Sequence, residues 1–183
     1  MAMLAIPITK SVSRLFQGID VDGTRDKSDH VTMVYFGDNI KINKIVKVIP
    51  ILFEILSETA PFTIKTNKIT TFSKGDDGYP VIAAIKSKEL QDLRNKIIEE
   101  FEKKKVKFDN KYPNYNPHVT LSYSEEKVKD INIETCEWQV NEISLYCGDV
   151  SDTRMFVNFP LGLKTKSAKA AVYSRAFNLL SQG

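Results

Sequence analysis

The sequence is poor in the features that mark membrane, secreted and metal-binding proteins. No apolar run approaches the roughly 20 residues that a membrane span requires. The N-terminal stretch MAMLAIPITK has no charged segment before its short apolar run, unlike a signal peptide. The two cysteines, Cys136 and Cys147, form no Cys-x-x-Cys pattern and have no histidine nearby, so we interpret them as reduced, apolar residues flanking a pair of strands. We therefore expect a cytoplasmic protein with no membrane partner.

The sequence also has only a small excess of one sign of charge, and it has no linker-like segment. The chain has 26 Lys and Arg against 23 Asp and Glu, and a net charge of +3 does not indicate a protein that coats nucleic acid. With 183 residues and 42% hydrophobic content, the chain can bury a core. Because no low-complexity linker divides it, we predict one domain over residues 1–163. A tail over 164–183 forms either a short helix or a loosely attached terminus.

Apolar periodicity predicts a mixture of strands and helices. Alternating, β-branched segments predict strands over 3–9, 30–36, 62–72, 81–86, 118–124, 136–148 and 154–161. Helical spacing predicts a helix over 42–58, where Pro50 should kink the helix or shift its start. A second helix is predicted over 87–105, with Ser87 as its N-cap.

The tripeptide His-Val-Thr occurs twice, in HVTM at 30–33 and in HVTL at 118–121, and these copies contain both histidines of the chain. On a strand, alternate residues share a face. In each copy the histidine and threonine therefore point one way, while the valine and the following Met or Leu point the other. The polar pair suits a wet cleft, and the apolar pair suits a core under helices. The same alternation places Tyr35 and Tyr123 in the core.

Two such strands lying side by side would bring two imidazoles and two hydroxyls to one site. Because imidazole titrates near pH 6.5, His30 and His118 can supply one base and one acid. The hydroxyls of Thr32 and Thr120 can donate hydrogen bonds to a phosphoryl oxygen. This set suits phosphodiester cleavage without a metal or other cofactor: one histidine activates a water or a ribose hydroxyl, and the other protonates the departing oxygen. The sequence does not decide which histidine is the base.

Other interpretations of the repeat are open. A histidine on a strand is usually a hydrogen-bonded structural residue, and a threonine there is a common strand former. A structural protein of this kind would tolerate changes at both positions. A zinc site would need one or two further ligands, which no carboxylate pattern provides. A nucleotide- or RNA-binding module without turnover would keep the same residues.

The paired motifs resemble the signature of the two-histidine (2H) phosphoesterase superfamily, a repeated His-x-Thr/Ser-x in which x is mostly apolar. The resemblance covers both motifs, their separation and the order of elements between them, hence most of residues 1–160. It implies a bilobed α+β fold with pseudo-two-fold symmetry, in which two antiparallel sheets line a central groove and helices pack outside. It also implies that His30 and His118 are the acid–base pair and that Thr32 and Thr120 hold the phosphate.

The resemblance also implies a class of substrate. Members of this superfamily, some of them viral, act on RNA ends and nucleotides. We expect a phosphoric diester hydrolase that acts on 2′,3′-cyclic phosphates at RNA ends or on small oligonucleotides. The alternative is a hydrolase of cyclic oligonucleotide second messengers, which in a virus would counter host defence in the host cytoplasm. We expect the protein to be a monomer.

Four residues outside the motifs are candidates for binding the substrate. Tyr112 and Tyr115, just before the second motif, either stack on a base or cover the edge of a sheet. Lys74 in SKGDD either meets a phosphate or is solvated, and Arg154 in SDTRMF either lines the groove or does not contact the substrate. Trp138 is predicted to lie in the core.

Overall fold

The chain forms two antiparallel sheets with helices on their outer faces, and the computed structural model describes residues 1–26, 30–38, 40, 42–111, 114–147 and 156–181. The strands are β1 (Ala2–Pro7), β2 (Thr24–Arg25), β3 (His30–Gly37), β4 (Phe62–Thr71), β5 (Tyr79–Lys86), β6 (His118–Ser124), β7 (Ile131–Val140), β8 (Glu142–Cys147) and β9 (Phe156–Pro160). The helices are α1 (Lys10–Gln17), α2 (Ile42–Ile45), α3 (Ile49–Ser57), α4 (Lys88–Lys103) and α5 (Lys166–Ser181), with a 3₁₀ turn at Val46–Val48. The predicted α+β class is confirmed.

The strand order brings both ends of the chain into one sheet. Within the described residues, the first lobe is the sheet β3–β1–β8–β9, and the second lobe is the sheet β2–β6–β5–β4–β7. All neighbouring strands pair antiparallel. His30 begins β3 at the edge of the first sheet, and His118 begins β6 in the second. Each histidine motif therefore belongs to its own lobe.

Helix α1 has no counterpart among the predicted elements. Only Val12 and Phe16 are buried along its eight residues, so its apolar stripe is too short to be seen in the sequence. The hydroxyl of Thr9 caps the helix by accepting a hydrogen bond from the Val12 amide at 3.3 Å. The ring of Phe16 meets Trp138 edge-on, with centroids 6.2 Å apart. The helix therefore packs against the second lobe before the chain enters the first motif.

The predicted helices are confirmed, including the interruption at Pro50. Helix α2 ends at Ile45, and α3 begins at Ile49 after the 3₁₀ turn. Pro50 lies in the first turn of α3, where its missing N–H is not needed. Ser87 caps α4, because its hydroxyl accepts a hydrogen bond from the Leu90 amide at 3.1 Å.

A continuous hydrophobic core joins the sheets to the helices. Trp138, predicted as a core residue, is 6% exposed. Cys136 and Cys147 are free thiols buried in the same core, as expected for apolar residues. Burial raises the pKa of both thiols, that of Cys147 to about 12, so both stay protonated at neutral pH.

The tail contains α5, which docks on the first lobe. Val172 is buried, and the ring of Tyr173 lies 6.3 Å from that of Phe53 in α3. Ahead of the helix, Lys164 forms an ion pair with Glu58. None of the helices in the described part of the chain is long and apolar enough to cross a membrane.

Candidate active site

Both His-Val-Thr motifs open a strand and show the same pattern of burial. In β3, His30 and Thr32 are half-buried, while the valine and the residue after the threonine are in the core. The corresponding residues of β6 repeat this pattern. The alternation predicted from the sequence is therefore observed at the start of each strand. We call the sheet surface that carries His30 and Thr32, and in the second lobe His118 and Thr120, the groove face.

Each motif strand has a β-bulge at the residue after its threonine. The pairing of β3 with β1 skips Met33, and the pairing of β6 with β5 skips Leu121. An extra residue moves the side chains that follow it to the opposite face of the strand, up to the next bulge, which in β3 is at Phe36. Tyr35 and Tyr123 are consequently half-buried and lie outside the core, on the groove face. The prediction that they lie in the core is wrong, because it assumed unbroken alternation.

The two motif strands are neighbours across the boundary between the lobes. Strands β3 and β6 are in contact. Tyr115 lies three residues before His118, and its hydroxyl donates a hydrogen bond to the carbonyl oxygen of Thr32 at 3.0 Å. The segment that leads into the second motif therefore touches the backbone of the first.

A backbone hydrogen bond orients the ring of His118. Its Nδ1 atom lies 2.7 Å from the carbonyl oxygen of Asn116. Because a carbonyl oxygen only accepts, Nδ1 carries the proton, and the lone pair of the neutral ring is on Nε2. Burial lowers the pKa of His118, against a smaller rise from the bond to Asn116. The site therefore favours a neutral imidazole whose Nε2 is unprotonated and can accept a proton.

Each histidine has an aromatic neighbour that lies two strands away in the same sheet. Phe72, directly after β4, meets the His118 ring edge-on, with centroids 4.8 Å apart. In the first lobe, the ring of Tyr146 in β8 lies 6.3 Å from that of His30. In each lobe one strand lies between the histidine and its aromatic neighbour. The residues of that strand opposite the histidine and opposite the aromatic residue are four positions apart in both lobes. They are Pro7 and Met3 in β1, and Ala84 and Pro80 in β5. The two aromatic neighbours are therefore related by the pseudo-symmetry of the lobes.

The aromatic neighbour of His30 belongs to a row of polar side chains on β8 and β9. Burial raises the pKa of Tyr146, a hydrogen bond with Ser144 lowers it, and the Glu142 carboxylate raises it. Ser144 Oγ donates to Asn158 Oδ1 at 2.9 Å, and Asn158 Nδ2 donates to Glu142 Oε1 at 3.3 Å. His30 therefore lies beside a polar network, whereas the other histidine lies against an apolar phenylalanine ring.

The motif threonines are half-buried beside the histidines. The hydroxyl of Thr32 lies 3.9 Å from the sulfur of Met3, which is a weak acceptor. Thr120 stands opposite Ile82 of β5. A stronger acceptor, such as a phosphoryl oxygen, can therefore replace the Met3 sulfur as the partner of Thr32.

Tyr115 is placed between the lobes. Besides the bond of its hydroxyl to the Thr32 carbonyl, its ring lies under the guanidinium of Arg94, 4.5 Å from the ring centroid. This placement favours the alternative in which Tyr115 covers the edge of a sheet. Stacking of Tyr115 on a base stays a prediction.

The other predicted binding residues are farther from the motifs or outside the described residues. Lys74 is exposed in the turn between β4 and β5, with Nζ 5.6 Å from the ring centroid of Tyr79. It follows Phe72 by two residues, and its contact with a phosphate stays a prediction. Tyr112 and Arg154 lie outside the described residues. Across the described ranges, no three His, Cys, Asp or Glu side chains are grouped so that they could hold a metal ion.

Sequence reasoning missed Phe72 and Tyr146 as neighbours of the histidines. The available signal was weak: each is an aromatic residue near the end of a predicted strand. Finding them requires the strand order and the register, because each ring reaches its histidine across an intervening strand.

Comparisons with solved structures agree with this fold. TT0787 of Thermus thermophilus is 14% identical with a TM-score of 0.69, and the match covers 90% of this chain and 99% of that chain. E. coli LigT complexed with 3′-AMP is 16% identical with a TM-score of 0.61, and the match covers 90% and 98% of the two chains. A crystal structure described as a phosphoesterase is 17% identical with a TM-score of 0.60, covering 87% and 94%.

Sequence comparison gives the family. No curated protein sequence matches the chain significantly. The family model for the 2′-5′ RNA ligase superfamily matches residues 22–151, a segment that contains both histidine motifs. The chain therefore belongs to the 2′-5′ RNA ligase superfamily, within the two-histidine phosphoesterases that its paired motifs resemble.

Proposed function

We propose that this protein is a metal-independent phosphodiesterase that uses its two His-x-Thr motifs on RNA ends carrying a 2′,3′-cyclic phosphate. The observation that carries the proposal is the equivalence of the two motif strands. They share the burial pattern, the position of the bulge and the aromatic neighbour of the histidine, and they are in contact. Two structural histidines would not need to match in all of these respects. Membership of the superfamily supports the coarser statement that the protein acts on phosphoesters.

In the proposed reaction, His118 is the base and His30 is the acid. Nε2 of His118 takes a proton from a water, whose oxygen bonds to phosphorus. The bond from phosphorus to one ribose oxygen breaks, and His30 gives its proton to that oxygen. Thr32 and Thr120 donate hydrogen bonds to the non-bridging oxygens as their negative charge grows. Each proton transfer contributes about 10²–10⁴-fold to the rate.

Two observations support a nucleotide as the ligand: the ligands bound by a protein of the same fold, and the side chains of the groove face. E. coli LigT has been crystallised with 3′-AMP and with phosphate. Here the groove face combines imidazoles and hydroxyls with flanking aromatic rings. Hydroxyls suit a phosphate, and aromatic rings suit an unpaired base next to it.

A turnover screen tests the proposal. The substrates are RNA ending in a 2′,3′-cyclic phosphate, a 2′-5′-linked oligonucleotide and a 3′-5′ cyclic oligonucleotide, each with and without EDTA. We expect the wild type to open the cyclic phosphate in EDTA, and the double variant His30→Ala/His118→Ala to leave it intact. Turnover of cyclic oligonucleotides alone would identify the second-messenger hydrolase instead. Binding without consumption would identify a binding module, and activity lost in EDTA and restored by zinc would contradict the metal-free reaction.

Replacing Phe72 with alanine is expected to shift the acidic limb of the pH–rate profile to higher pH. Because the base must be neutral, kcat/KM falls as the pH drops through the pKa of His118. Phe72 helps to exclude water from that ring, and the burial lowers its pKa. Opening the site to water returns the pKa toward about 6.5, so the limb moves upward.

The matched control is Phe177→Ala in α5. Phe177 is 72% exposed, so the same truncation there should leave the profile unchanged. Profiles of kcat/KM between about pH 5 and 8 measure the shift. An acidic limb that stays in place in Phe72→Ala would contradict the assignment of His118 as the base.

A further inference from the structure

The outer edge of β3 is covered by the chain that runs from β5 to the second motif. In the described part of the chain, β1 is the only strand that pairs with β3, so the outward carbonyls of β3 need other partners. The hydrogen bonds to this edge run from Tyr115 Oη to Thr32 O at 3.0 Å, from Arg94 Nε to Met33 O at 3.0 Å, and from Asp109 N to Tyr35 O at 2.8 Å. Two of the acceptors are consecutive residues, which the bulge at Met33 permits because it breaks the regular alternation of carbonyls.

Arg94 and Tyr115 act on this edge as a unit. The guanidinium lies 4.5 Å from the ring centroid of Tyr115, within the range of a cation–π contact. Both side chains are partly buried, and this burial lowers the pKa of Arg94 and raises that of Tyr115. Their hydrogen bonds and the cation–π contact favour this geometry, because moving either side chain away would leave a partly buried polar group without its partner.

The edge of β6 is covered in the same way, by the chain that leads to the first motif. The segment before the first motif forms β2, which pairs with the outer edge of β6. Directly after β2, the amide of Asp26 donates to the carbonyl of Leu121 at 3.0 Å. Leu121 is the bulge residue of β6, and Met33 is the first of the two bulge residues of β3. Each motif strand is therefore held by the chain that leads to the other motif, an arrangement we call the reciprocal clasp.

We propose that Arg94 and Tyr115 are positioning residues, which hold the first motif at a fixed separation from the second so that both histidines reach one phosphorus atom. This inference rests on the proposed function, because the separation matters only if both imidazoles act on the same group. On β6 the clasp is made by the backbone of β2. On β3 two of its bonds come from side chains, so this half can be loosened by single substitutions.

The substitution Tyr115→Phe tests the inference most sharply. It removes the hydroxyl that binds Thr32 and keeps the ring under Arg94. A misplacement of about 1 Å can cost about 10²-fold in rate, so loss of one of the bonds should lower kcat about tenfold. KM should stay within about twofold, because the binding groups are retained. Both limbs of the pH profile should keep their positions, since neither histidine is removed.

Variants of Arg94 provide a second readout. Arg94→Leu removes the donor to Met33 and the charge above the Tyr115 ring, and kcat should fall at least as far as in Tyr115→Phe. Arg94→Lys keeps the charge and a donor, and it should recover part of that loss. The control is Tyr173→Phe in α5, where the same change is remote from both motifs and kcat should equal that of the wild type.

All variants are assayed on RNA ending in a 2′,3′-cyclic phosphate, at a temperature where thermal unfolding shows each to be folded. A fall in kcat with KM unchanged, partly restored in Arg94→Lys, supports the positioning role. An active wild type with full kcat in Tyr115→Phe and Arg94→Leu overturns this inference alone. A wild type that turns over none of the substrates in the screen overturns the proposed function and this inference with it.

Discussion

Replacing His118 with alanine is expected to lower kcat on the cyclic-phosphate substrate by at least about 10²-fold. The substitution removes the only group we assign to take a proton from the attacking water. The fold should survive, because Val119 and Leu121 stay buried and continue to anchor β6 in the core. Steady-state kinetics and a thermal unfolding curve of the same preparation measure both effects.

The pH profile separates loss of the base from general damage to the site. In the wild type, kcat/KM rises with pH through the pKa of His118, which burial places below about 6.5. In His118→Ala this acidic limb should disappear. His30→Ala should cost a comparable factor and remove the alkaline limb instead, because the acid must hold its proton. Full activity in either variant, or an unchanged profile in both, would contradict the paired-histidine reaction.

Replacing Gly23 with alanine is expected to lower the free energy of unfolding by about 2–4 kcal/mol. Gly23 has φ of +93°, and a Cβ at this position would overlap the carbonyl oxygen of Tyr123. That oxygen belongs to the backbone of β6, so the overlap is relieved only if β2 moves away from β6. Chemical denaturation of wild type and variant measures the change.

The matched control for this prediction is Gly37→Ala. Gly37 has φ of +117°, but nothing lies within 4 Å of the Cβ position. The substitution therefore carries only the conformational cost, about 1–2 kcal/mol. The difference between the two variants isolates the close approach of Gly23 to β6, and equal costs would contradict it.

The faces of the two motifs could be predicted because they depend on local geometry alone. Four residues of a strand suffice to separate His30 and Thr32 from the core, and the burial pattern agrees. The prediction failed at Tyr35 and Tyr123, because a bulge arises from the pairing with a neighbouring strand. Nothing in the sequence of β3 or β6 alone marks the residue that the partner strand skips.

The remaining features of the site depend on contacts between distant segments. Phe72 and Tyr146 reach the histidines across an intervening strand, so their roles follow from the order of strands in each sheet. Tyr115 was identified as a candidate from its position before the second motif. Its hydrogen bond to Thr32 joins residues of opposite lobes, and no local pattern encodes such a contact.

The strand order also has a consequence for how the molecule is assembled. The strands β4, β5, β6 and β7 follow one another along the chain, and α4 is the only helix between them among the described residues. These four strands can therefore pair as soon as they leave the ribosome. The sheet that carries His30 is different, because β1 receives its second neighbour only when β8 has been synthesised. His30 precedes His118 in the chain, but the sheet that carries His30 is completed later. Nascent chains that stop before β8 leave β1 with an open edge.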